Sequence, residues 1–148
     1  MTVPIVTAED QDQLDKVDGF LHDQRFNIDN LRFDRNSSSV SLPFEKEDRD
    51  SVSGRWYQFF FQRWTVPIFE HVVQIAHAIS CDVEDPEQIS SYTFEQVQYD
   101  PRERLVRILG CPHLRIVVEV PRLNISVLST GKPLGVRKIL TVLGCEIS

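Results

Sequence analysis

Four histidines and three cysteines carry most of the chemical reach of this 148-residue chain, and His71, His77, Cys81, Cys111 and His113 are of the types that zinc accepts as ligands. On a strand over 68–83 the odd-numbered His71, His77 and Cys81 would point to one face, and Cys111 with His113, two apart, could approach from a neighbouring strand. No C-x2-C or H-E-x-x-H spacing accompanies them, and Phe69, Val73, Ile75 and Ile79 share the same face, as residues of a packed core do. The expectation is therefore no metal and no cofactor. A zinc-dependent enzyme built on His71, His77, Cys111 and His113 stands as the alternative.

Nucleophilic chemistry has less support. There is no G-x-S-x-G elbow, and on one strand Cys111 and His113 would stand about 6–7 Å apart, beyond hydrogen-bond reach. The six glycines, at 19, 54, 110, 131, 135 and 144, are too scattered to cradle a phosphate. His22-Asp23 reads as a polar turn or the lining of a pocket. Asp34 and Asp100 each fall where a strand meets a turn, and an Asp there accepts hydrogen bonds from amides two residues on. Pairing the two as catalytic carboxylates would require both turns to meet in one cleft, so catalysis is not the expected activity.

Binding has a stronger candidate. Six of the 14 aromatic residues fall within 55–64, and Arg55, Trp56, Tyr57, Phe59, Phe61, Arg63 and Trp64 are the types that dominate interface hot spots. Aromatic enrichment favours a strand there, apolar on both faces. One modest helix offers little to cover the outer face, so a homodimer or another protein partner is expected to contact this segment.

The elements that would position these residues are mostly strands. Thr7-Ala-Glu-Asp10 has the form of a helix start, and Leu14, Val17 and Leu21 then make one narrow apolar stripe on a helix ending near Phe20 to Asp23. From Phe26 the period becomes two. Sliding the chain against itself by 66 lays 26–42 over 92–108 without a gap, matching Phe26 with Tyr92, Ile28 with Phe94, Leu31 with Val97, Phe33 with Tyr99, Asp34 with Asp100 and Val40 with Val106. Both segments are expected to be β-hairpins of similar geometry. Pro67 would mark a turn. The segment 68–83 suits helix or strand, with its β-branched content favouring strand; 113–120 and 123–128 alternate as strands, and 129–135 reads as loop.

At 41% hydrophobic and 26% charged residues, the composition is that of one globular domain over 1–148, and excludes collagen, a disordered tail and a disulfide scaffold. The net charge of −6 argues against nucleic acid and anionic membrane surfaces as partners. The charge is uneven: 12 acids face 6 bases over 1–51, whereas 2 acids face 5 bases over 111–148. No apolar run reaches the roughly 18 residues of a membrane helix. No basic region followed by an apolar stretch opens the chain, and the three cysteines are widely spaced, so a cytoplasmic, reduced protein is expected. The fold expected is α+β, mainly antiparallel β with seven or eight strands, sandwich-like or a curved sheet, one N-terminal helix and two similar β-hairpins. The function expected is a small non-catalytic binding or protein-interaction module that self-associates, with a small-ligand carrier holding a cavity between sheets as a further alternative.

Overall fold

The computed structural model describes residues 2–48, 53–58, 61–142 and 145–147. Asp10 opens α1 (Gln11–Leu21), its carboxylate accepting from the Gln13 amide while Gln13 Oε1 accepts from the Glu9 amide, both at 2.8 Å. One donor that the helix start leaves unpaired, the Gln13 amide, is thus satisfied, together with the Glu9 amide just outside the helix. Thr7 is not the cap: it lies in β1 (Val3–Ala8), where its hydroxyl bonds that of Ser126. The Asp10–Gln13 pair wins because Gln13 is long enough to reach back, as an Asp three residues after Thr7 is not. Leu14, Val17 and Leu21 are buried, as the apolar stripe requires.

The other strands are β2 (Arg25–Asn27), β3 (Arg32–Asp34), β4 (Ser39–Glu47), β5 (Ser53–Gln58), β6 (Phe61–Ile75), β7 (Ser80–Glu84), β8 (Ser91–Asp100), β9 (Leu105–Cys111), β10 (Leu114–Glu119), β11 (Ile125–Val142) and β12 (Cys145–Ile147). They form one antiparallel sheet in the order β1-β11-β6-β4-β2-β8-β9-β10-β7, with β3 beside β4, β5 beside β6 and β12 beside β11. The class is α+β, mostly antiparallel strand with a single helix among the described residues. Helix α1 touches both β1 and β8, which are five places apart in that order. Flat strands would put them about 24 Å apart, more than the roughly 10 Å width of a helix, so the sheet must curl around α1.

Strand number exceeds the expected seven or eight because β1 and β12 are added, a 3-10 turn splits β2 from β3, and 68–83 is divided between β6 and β7, even though two turn signals lie inside strands. Pro67 is in β6 rather than at a turn, opposite Val136. One edge of β6 is taken by β4 as far as Ile68 and by β5 from Thr65 onward, so Pro67 sits at the changeover, where a missing amide breaks no ladder bond. The stretch 129–135 is likewise not a loop. It belongs to β11, where register shifts beside Pro133 absorb the extra residues and Gly131 and Gly135 supply positive φ of 73° and 136°. The segment 68–83 is strand, interrupted between β6 and β7.

Segments 26–42 and 92–108 each contain a hairpin with a four-residue turn. The pairs Phe33–Val40 and Asp34–Ser39 of one correspond at an offset of 66 to Tyr99–Val106 and Asp100–Leu105 of the other. Asp34 accepts from the Asn36 amide and Asp100 from the Arg102 amide, both at 2.9 Å, and Ser38 and Arg104 both take positive φ, 53° and 57°. The strands leading in differ. A 3-10 turn at Ile28–Asn30 separates β2 from β3, whereas β8 runs on with one bulge between Phe94 and Gln96. Phe26 and Tyr92 lie directly opposite each other across the β2–β8 pair. Phe26, Phe44 and Phe94 pack centrally in the core, with ring centroids 4.3 Å apart for Phe26–Phe94 and 5.4 Å for Phe44–Phe94.

Candidate functional site

On the face of the sheet that carries the core, β4 presents Val40, Leu42, Phe44 and Lys46, and β6 presents Ile75, Val73, His71 and Phe69, as strand alternation dictates. The cross-strand rows therefore run Val40–Ile75–Ile125, Leu42–Val73–Val127, Phe44–His71–Ser129 and Lys46–Phe69–Pro133. The first two rows are apolar; the next two become polar. Above them stands Phe20, in the last turn of α1. Here a cavity of about 570 Å³ opens, lined by Ile5, Phe20, Lys46, Glu47, Asp48, Phe69, His71, Ser129 and Gly131.

His71 is the one buried polar residue among those described, 9% exposed. Its ring packs against Phe20 at 5.8 Å and Phe44 at 5.7 Å, and its Nδ1 lies 3.4 Å from the Phe69 carbonyl. Nε2 has no partner among the described residues and is not fully buried, and His71 lines the cavity. Burial holds the imidazole below its ordinary pKa; the Phe69 carbonyl opposes this, and the charge of Lys46 adds to it.

Lys46 Nζ lies 4.1 Å from the Phe20 ring centroid and 3.4 Å from the Phe20 carbonyl, to which it donates. The ring face and the carbonyl dipole both favour the cation. Partial burial nonetheless pushes its pKa down, against the raising effect of Glu47. Glu47 has the opposite strand parity and forms an ion pair with Arg137. Among the described residues no carboxylate lies within ion-pair distance of Lys46. The cavity brings together apolar walls from Ile5, Phe20 and Phe69, one partly buried cation, one imidazole, the Ser129 hydroxyl and two acids, Glu47 and Asp48.

The sequence-derived metal residues do not gather. His71 belongs to this cavity, but β6 ends at Ile75, and His77 lies in the following turn with φ of 60°, so the common parity with Cys81 is lost. His77 Nε2 instead lies 3.0 Å from an Arg122 guanidinium nitrogen. Cys81 is on β7, its thiol pushed up by burial and by Asp82; Cys111 is exposed at the end of β9, and His113 is exposed in the turn before β10. Among the described residues no group of three or more His, Cys, Asp or Glu side chains could hold a metal ion.

Of the aromatic segment, Phe59 and the side chains of Arg55, Trp56, Tyr57 and Phe61 lie outside the described residues. Arg63 is exposed, and the half-buried Trp64 donates from Nε1 to Thr141 Oγ1 at 3.2 Å across the β6–β11 pair. Lys46 was missed by sequence reasoning. Its signal was present, since it continues the apolar alternation of Val40, Leu42 and Phe44 with a charge. Comparison of the chain with protein-family models, curated proteins and solved structures finds no match.

Proposed function

We propose that this domain binds a small organic molecule in the cavity beneath the end of α1 and serves as a carrier or receptor for it, without catalysis. The observation that carries this reading is the cavity of about 570 Å³, within the range of small-molecule sites, with aromatic walls and two convergent nitrogen groups. Thermal denaturation across a compound panel tests it, with Ser129→Trp as a variant whose cavity is filled. A bound ligand at saturation should raise the wild-type midpoint by several degrees and leave the variant unmoved. A panel that stabilises neither protein, or both equally, counts against the reading.

A second reading, self-association, rests on the stretch of β11 between its pairings with β1 and β12. There Leu134 and Val136 are 40% and 58% exposed, on the strand that pairs with β6 from Pro67 to Trp64 and beyond. Sedimentation of wild type and Trp64→Ala tests it: a dimer that shifts toward monomer in the variant supports it, and a wild-type monomer at high concentration removes it.

A further inference from the structure

We propose that the occupant of the cavity is an amphiphilic monoanion, a carboxylate on a hydrocarbon body, whose head meets Lys46 Nζ while its body lies against Phe20, Phe69 and Ile5. This rests on the cavity reading above. Lys46 is partly buried, with a ring face at 4.1 Å and one carbonyl at 3.4 Å as its direct contacts and no carboxylate of the described residues within ion-pair distance. A cation so placed feels Glu47 only at longer range and has no direct ion-pair partner among the described residues, and an anion arriving from outside would supply one. Neighbouring acids do not fill that role. Glu47, which also lines the cavity, is paired with Arg137, and among the described residues neither it nor Asp48 forms an ion pair with Lys46. The walls select the rest of the ligand, since Phe20, Phe69 and Ile5 offer apolar surface and no hydrogen-bonding side chain. Among the described residues, His71 and Ser129 are the other polar side chains lining the cavity besides the two acids.

The test is isothermal titration of the full chain with decanoate and with 1-decanol, equal in length and differing in charge. Wild type should bind decanoate about tenfold more tightly than decanol, the factor expected of one charge-assisted contact. Lys46→Met should erase that preference while keeping decanol binding, which also reports that the variant is folded, and Lys46→Arg should retain it. Equal affinity of wild type for both compounds, or a preference that survives Lys46→Met, would overturn the assignment of an anion. If both compounds bind equally and Ser129→Trp abolishes both, the cavity reading stands and only the anion falls. Binding of neither compound, or decanoate binding undiminished in Ser129→Trp, overturns both readings.

Discussion

His71 ties the stability of the molecule to pH, with a sign that follows from where the ring sits. In the unfolded chain its imidazole takes up a proton near its ordinary value of about 6.5. Burial lowers that value in the folded protein, so below about pH 6.5 the unfolded state binds more protons and gains on the folded one. This contribution is fully present above the unfolded pKa and is lost as the pH falls toward and past the folded one. Urea unfolding at about pH 5 and about pH 7.5 should show less of this loss in His71→Phe than in wild type, because a phenyl ring keeps the packing on Phe20 and Phe44 without a titrating nitrogen. Two glycines should respond in opposite directions. Nothing lies within 4 Å of a Cβ built on Gly19, which is exposed on α1, so Gly19→Ala should stabilise by about 0.5–1 kcal/mol. A Cβ on Gly110 would meet Leu114 Cβ at 3.1 Å and Phe26 Cζ at 3.3 Å in the core, so Gly110→Ala should destabilise by about 1–3 kcal/mol. Thermal denaturation of the two variants checks both signs.

At the scale of elements, the junction between α1 and β8 holds the helix in place. Strand β2 covers β8 only along Ser91, Tyr92 and Thr93, which leaves the rest of that edge to be satisfied otherwise. Asp18, in the penultimate part of α1, accepts the Val97 amide at 2.7 Å, and the Asp23 amide donates to the Phe94 carbonyl at 2.9 Å. Asp18→Ala would orphan the Val97 amide and should cost about 1–3 kcal/mol, with Asp18→Asn costing less, as measured by urea unfolding. The helix itself was legible in Leu14, Val17 and Leu21, because a 3.6-residue period survives any tertiary context that buries one face. The hairpin turns were legible in Asp34 and Asp100, whose side chains act within two or three residues. Long-range pairing was not. Pro67 and 129–135 carry turn chemistry that the sheet overrides, since where β4 ends and β5 begins along β6 is decided by strands distant in sequence. His71 was visible as a residue with chemical reach, but its partner Lys46 was not, because their proximity depends on the β4–β6 register.

For the whole molecule, β6 and β11 form a long spine to which the other strands attach: β4 and β5 along one edge, β1 and β12 along the other. Lys132, Arg137 and Lys138 sit where β11 lies between the pairings with β1 and β12, and charges on such an edge discourage unspecific strand addition. The position of β11 also dictates when the protein can be finished during its manufacture. Thr7 and Ser126, joined through their hydroxyls, are 119 residues apart. A ribosome that has released β1 and β6 must synthesise four further strands, β7 to β10, before the partner of both emerges. Until then the nascent chain carries two unpaired strand edges, and pairings so distant in sequence are slow to form. A chain stopped after Pro121 would leave those edges permanently open, and should appear in the insoluble fraction of an expression lysate where the full chain does not.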